Sequence, residues 1–310
     1  IRRDPGKRTP VLLVALLALL LGARCSDSGT VSSGFVDDDF NACVLDTRHW
    51  EFVDPRGDSS ATVLGAGTGE AVVEIHVPAG TSHNPWLTND SARLLQPVND
   101  TDLVLEARFD SEVAQRFQIQ GLLVEESPSR FVRFDVHHDG TSPRLFVATI
   151  ADGSAEIRHD APVAAGAGLR LRLTRAGDEW TPRYSLDGVE WIALATFTHT
   201  LAVSAAGVLA GNAASGGPAP AHTARIDYAY EGGSPSTEED SGVVPSEVAL
   251  DLSVSGPGTV ELTPAGPVYA CGTEVQLTAL ADPGSELLGW SGAASGSTSP
   301  TSVLLVEDAS

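Results

Sequence analysis

An all-β fold, an antiparallel two-sheet sandwich followed by a smaller β unit, is predicted by three observations. Between Phe35 and Glu231 apolar and polar residues alternate in short runs broken by Gly, Pro, Asp and Asn, and no stretch keeps helical spacing for long. The segment Tyr184 to Trp191 carries an Asp187-Gly188 pair, which supplies the positive φ angles that a tight hairpin turn demands. The chain's 310 residues, 42% hydrophobic and 19% charged, have the composition of a globular protein and suffice for two folded units.

Taken in order, the first element is an address. Arg2, Arg3, Lys7 and Arg8 precede the apolar run Val11 to Leu21. That run of eleven residues is about half of what a bilayer-spanning helix needs, so residues 1–25 read as a secretory signal peptide. Cys25 and the small polar tether 26–34 after it are how a bacterial lipoprotein begins, with Cys25 lipidated. Arg24 stands where such signals place a small residue, so cleavage by ordinary signal peptidase and a free secreted product is the competing reading. The sequence contains no Met and is expected to be a fragment or processed piece. Removing residues 1–24 takes away five basic residues and one acidic residue, which lowers the net charge from −22 to −26. That sign repels phosphate backbones and excludes nucleic acid as the expected partner; a membrane is expected only through the lipid anchor.

The strands follow from alternation. Leu103, Leu105, Ala107 and Phe109 share one face against Glu106 and Arg108. Phe117, Ile119 and Gly121 are expected to oppose Gln118 and Gln120. Val132, Phe134 and Val136 oppose Phe131, Arg133, Asp135 and His137, and Leu169, Leu171 and Leu173 oppose Arg170 and Arg172. One face of each strand is read as core and the other as polar. Trp180, Tyr184 and Trp191 are expected to anchor the hairpin. Residues 232–247, rich in Gly, Ser, Pro and acid, read as a linker, and 248–310 as the smaller β unit. Cys43 and Cys271 fall in different units, so no disulfide framework is expected.

Several strings resemble known families. Asp38-Asp39-Phe40 with Leu45-Asp46 and Trp50, Val77-Pro78-Ala79-Gly80 running into Pro85-Trp86, Gln118 to Leu122, Phe131-Val132-Arg133-Phe134, Leu171 to Asp178 and the Ser185 to Trp191 hairpin resemble, in order and spacing, bacterial secreted sandwiches of the concanavalin A-like lectin/glucanase superfamily, of the regulation-of-enolase or uncharacterised type. The resemblance covers about 35–231 and implies a jelly roll of the kind appended to secreted glycoside hydrolases and surface proteins. Ser255-Gly256, Gly258-Thr259-Val260, Pro264, Tyr269 to Ala279, Gly289-Trp290-Ser291-Gly292 and Pro300 are similar to a divergent internalin B-type bacterial repeat. Its final strand is expected to lie beyond Ser310.

No Glu-x-Asp-x-x-Glu string, which would set paired carboxylates on one strand face, occurs. Glu125 and Glu126 are adjacent and point opposite ways on a strand, so catalytic residues are not expected. His137-His138 lacks the i+2 partner or nearby Cys of a metal site. Asp37-Asp38-Asp39 with Asp227 could hold a structural calcium, or could be solvated strand ends; no other cofactor is expected. If the strands of Gln118/Gln120, Arg133/Asp135/His137 and Glu106/Arg108 are neighbours in one sheet, they form a polar band suited to sugar hydroxyls, with Trp86 as a platform for a pyranose ring. The ligand-binding candidates are therefore Trp86, Gln118, Gln120, Arg133, Asp135 and His137. The plainer alternative is a wet sheet face with Trp86 tucked against it. On the binding reading Trp86→Ala and Gln120→Ala should cost affinity and leave stability nearly intact.

These expectations add up to a non-catalytic carbohydrate-binding or adhesion module of a bacterial cell-surface or secreted protein, with a polysaccharide or surface glycan as partner. The alternatives are an accessory domain of a larger secreted glycoside hydrolase, or a spacer without ligand.

Overall fold

The computed structural model describes residues 33–232 and 247–310. The expected signal peptide, Cys25 and most of the tether and linker lie outside the described residues. Among the described residues every regular element is a strand.

Two antiparallel sheets form the sandwich. One has seven strands in the order Glu51–Val53, Ala92–Pro97, Ala205–Asn212, Gln118–Ser127, Arg130–His138, Pro143–Ala151 and Ser154–Pro162. The other runs Ile192–Ala193, Glu179–Ser185, Leu169–Ala176, Leu103–Phe109, His222–Glu231, Val72–Val77 and Ser60–Leu64, with Phe197–Thr198 also paired to Glu179–Ser185. Alternation places Leu105, Ala107, Leu171 and Leu173 of the second sheet against Leu122, Val124, Val132 and Phe134 of the first, all within one core. Each such buried Leu, Val or Phe side chain contributes roughly 1.5 to 3 kcal/mol through removal from water, which is why these strands hold the register their sequence proposes.

The seven-stranded sheet departs from the expected alternation, because its outer face is buried as well. Leu95, Ile119, Leu123, Phe131, Ile150 and Leu209 belong to a second apolar cluster on that side. The segment 83–91 lies against it: Arg133 Nη1 donates to Pro85 O at 2.7 Å, Arg93 Nη1 donates to Asn89 O and Ser91 O, and the Trp86 ring sits 6.2 Å from that of Phe146. With both faces covered, the strand Gln118–Ser127 is buried along its first eight residues, and the pattern no longer tells inside from outside. The sequence reading of this strand is therefore reversed. Ile119 and Gly121 face outward, and Gln118 and Gln120 share the inward parity of Leu122 and Val124.

Two further expectations are corrected. The hairpin after Ser185 closes through a six-residue loop, not a two-residue turn. Asp187 Oδ1 accepts from the backbone N–H of Val189 and Glu190, Gly188 adopts φ 78°, and Trp191 lies under the Arg172 guanidinium at 3.8 Å. Cys43 and Cys271 are joined in a disulfide across 228 residues of sequence. Their assignment to different units hides this pairing, since distance in sequence says nothing about proximity of the folded surfaces.

The C-terminal unit has a three-stranded antiparallel sheet, Gly258–Thr263, Thr273–Ala281 and Thr301–Leu305, and a two-stranded pair, Glu247–Ala249 with Val268–Ala270. Its small core includes Val248, Tyr269, Val275, Leu277, Val303 and Leu305.

Candidate functional site

The outer face of the seven-stranded sheet is not fully sealed by the segment 83–91. At one end a cleft of roughly 230 Å³ remains, lined by Asn84, Trp86, Phe117, Ile119, Arg133, His137, Phe146, Ala213 and Ala214. Trp86 sits in a two-residue strand pair, Pro85–Trp86 with Thr88–Asn89. It keeps 36% of its surface exposed while its ring leans on Phe146. His137 stands edge-on to Phe146 with ring centroids 5.4 Å apart and lies 6.4 Å from Phe117. Leu87, next to Trp86 in sequence, and Phe117, which lines the cleft, have φ of 61° and 62°. Such backbone strain in side chains other than glycine is retained only where the surroundings enforce it, and it clusters at binding sites.

Beneath the cleft runs a buried polar row. Arg133 Nε donates to Asp135 Oδ2 at 2.6 Å, and its guanidinium lies 5.0 Å from the centre of the Phe146 ring. Both partners are withdrawn from water, Arg133 at 3% and Asp135 at 0% exposure. Asp135 Oδ1 makes no hydrogen bond and lies 3.9 Å from His137 Nδ1. Burial holds His137 below the ordinary histidine range, with Arg133 adding to that effect and the Asp135 carboxylate opposing it. Gly121, directly across from Asp135, leaves room for this pair: a Cβ at that position would lie 2.4 Å from Asp135 Cα.

Four of the six predicted residues therefore come together, and two do not. Trp86, Arg133, Asp135 and His137 share the outer face. Gln118 and Gln120 point into the sandwich and are consumed there. Gln118 Oε1 accepts from the N–H groups of Ala114 and Gln115 while its Nε2 donates to Ala221 O. Gln120 Oε1 accepts from Ser111 Oγ and faces His222 Nε2, and its Nε2 donates to Ser111 O. Glu106 and Arg108 lie on the other sheet, where Glu106 pairs with Arg172 and Arg108 with Asp110 and Asp227. Sequence reasoning missed Phe117 and Phe146, because an aromatic ring on an alternating strand reads as core whichever face it takes.

The acidic group near the N-terminal edge serves the fold in visible ways. Asp38 accepts from Phe40 N and Trp50 Nε1, Asp39 from Asn41 N and Asp37 from Glu231 N. Glu125 is held against Arg93 at 3.4 Å, where burial raises its pKa. Glu126 is bound to Arg130, so these two neighbours form separate ion pairs.

Comparison with known proteins fits this architecture. Residues 249–309 match the family model of the divergent InlB B-repeat domain. No curated protein sequence matches the chain. Among solved structures, a mutant form of the GH43 protein BlXynB from Bacillus licheniformis superposes at a TM-score of 0.50 with 14% identity. It covers 63% of this chain and 38% of its own. A GH43B protein of a Bacteroides ovatus xyloglucan locus gives 0.49 with 13% identity, covering 64% and 39%. A Bacteroides ovatus mixed-linkage glucan GH16 protein gives 0.42 with 12% identity, covering 63% and 98%. The chain thus spans less than half the length of the GH43 chains it resembles, and at these identities the likeness is one of fold.

Proposed function

We propose that this chain is a non-catalytic carbohydrate-binding module of a bacterial cell-surface or secreted protein, and that the sugar sits in the Trp86 cleft. The observation that carries the reading is the half-exposed Trp86 ring, braced on Phe146 beside Asn84 and His137. A flat apolar platform with a few polar groups at its rim is what a pyranose, apolar on its ring faces and polar at its edge, requires. Arg133 and Asp135, buried and bound to each other, hold the platform from below, and of the two only Arg133 lines the cleft. Glycoside hydrolase chains carry the same fold, which supports a carbohydrate context. A disulfide is at home in an oxidising compartment, which supports the secreted address. Cys25 as a lipid anchor is part of this proposal, and Arg24 is the feature that weighs against it.

The test is retention on insoluble polysaccharides together with a glycan array, using wild type and Trp86→Ala. The wild type is expected to be retained by at least one glycan. The variant should bind roughly 5- to 30-fold more weakly, the equivalent of about 1 to 2 kcal/mol of stacking, with its melting temperature little changed. A wild type that binds nothing on either support would sink the proposal and leave a spacer as the reading.

A further inference from the structure

The cleft beside Trp86 runs against the charge of the chain. The net charge of the sequence is −22, yet of the described residues that line the cleft none is acidic, and the charged one is Arg133. The acids that act on His137 are already committed, Asp135 to Arg133 and Asp160 to Arg144. A second guanidinium stands at the rim, where Arg116 lies 4.9 Å from the centre of the Phe117 ring.

Arg133 is only 3% exposed, and its nitrogens are unequally used. A guanidinium offers N–H donors on Nε and on both Nη atoms, in a fixed fork. Nε donates to Asp135 Oδ2 at 2.6 Å and Nη1 to Pro85 O at 2.7 Å. Nη2 has no hydrogen-bond partner among the described residues and is not sealed from water. An arginine that lines a cleft, held from behind through two nitrogens and open at the third, is a donor presented to whatever fills that cleft. The Asp135 bond and the Phe146 ring, 5.0 Å from the guanidinium, fix its orientation before any ligand arrives, so little side-chain freedom is lost on binding.

We propose that the sugar bound in the Trp86 cleft carries a carboxylate on its ring, as a uronic acid does, and that Arg133 Nη2 donates to that carboxylate. The inference rests on the cleft being a sugar site and narrows its ligand to acidic sugars. A carboxylate answers a guanidinium N–H with a charge-assisted hydrogen bond, shorter and about twice as strong as a neutral one; the hydroxyl of a neutral sugar in the same place gives up that advantage. At roughly 230 Å³ the cleft is smaller than the pockets of about 300 Å³ and above that enclose drug-sized ligands, so it suits a single ring presented at a chain end or side branch. The negative charge of the chain opposes an acidic glycan at a distance, but that repulsion decays within about 8 Å at physiological salt, whereas Nη2 acts at contact.

The test is an array of galacturonate, glucuronate and mannuronate oligosaccharides, each printed beside its carboxyl-reduced form, in which the carboxylate has become a primary alcohol, together with neutral glycans. Wild type is expected to bind at least one acid form about tenfold or more tightly than its reduced partner, the size of one hydrogen bond to a charged group. Acid and reduced forms that bind alike throughout, or binding confined to neutral glycans, overturns the acidic-sugar proposal and leaves the cleft a sugar site. No binding to any glycan, acidic or neutral, overturns both. Arg133→Gln combined with Asp135→Asn removes the two charges together, so that neither is left buried alone, and circular dichroism checks its fold. The folded double variant should lose the preference for the acid form, and one that keeps it overturns the role of Arg133. The comparison of acid with reduced form uses wild type alone and decides the proposal whether or not the double variant folds.

Discussion

His222 Nε2 lies 3.0 Å from Gln120 Oε1 inside the sandwich, and the direction of that hydrogen bond is fixed. Gln120 Nε2 is committed to Ser111 O and its Oε1 already accepts from Ser111 Oγ, so His222 must donate. Burial, assisted by the nearby His76, pulls the His222 pKa from near 6.5 down to about 4. The unfolded chain therefore takes up a proton near pH 6.5 that the folded chain refuses until about pH 4. Stability is complete above that window and falls through it as the pH drops, by about 1.4 kcal/mol per unit and on the order of 3 kcal/mol in all. His137 and His199, also lowered by burial, add to the fall in the same direction. Urea unfolding at about pH 7.5 and about pH 5, on either side of the ordinary histidine range, should show the loss, and His222→Gln should reduce the slope without abolishing it. An unchanged slope in the variant would mean that His222 is not the group that titrates.

Gln120→Ala tests the inward placement directly. Truncation leaves Ser111 and His222 without their partner in a site closed to water, at a cost of about 1 to 3 kcal/mol. The melting temperature should fall while glycan retention stays as in wild type. Loss of retention with unchanged stability would return Gln120 to the outer face.

The Cys43–Cys271 bond makes a covalent prediction. With a protease site inserted between residues 238 and 239, cleavage should give two fragments that run as one species until reductant is added. By the chain-entropy account, closing so long a loop stabilises by up to about 5 kcal/mol, so Cys43→Ser with Cys271→Ser should also lower the unfolding midpoint. Fragments that separate without reductant would refute the pairing.

How far the sequence could be read depended on what each strand touched. Leu103 to Phe109 and Leu169 to Leu173 alternate cleanly because their sheet has one apolar face, and the structure places those leucines in the core. The strand Gln118–Ser127 misleads because both of its faces are buried, so alternation assigns the polar glutamines to water when their hydrogen bonds are made inside the sandwich. Trp86 announces itself by standing in a Pro- and Asn-rich loop. Phe146 does not, because nothing in Leu145-Phe146-Val147 distinguishes the outward ring from its neighbours.

Gly121 offers the sharpest test of the site's construction. It pairs with Asp135 across two central strands, and an added Cβ would lie 2.4 Å from both Asp135 Cα and Phe134 O. Those are backbone atoms and cannot swing aside, so Gly121→Ala must spread the strands or push Asp135 out of its bond with Arg133. Overpacking of this kind costs about 1 to 3 kcal/mol, and the damage falls on the floor of the Trp86 cleft. Gly217→Ala is the control, since a Cβ there meets nothing within 4 Å and a surface change of that kind shifts stability by about 0.5 kcal/mol or less. Differential scanning calorimetry of the two variants should separate them by several degrees. If Gly121→Ala melts with Gly217→Ala, the strands are not as close at Asp135 as this register requires, and the Arg133–Asp135 pair loses the glycine that makes room for it.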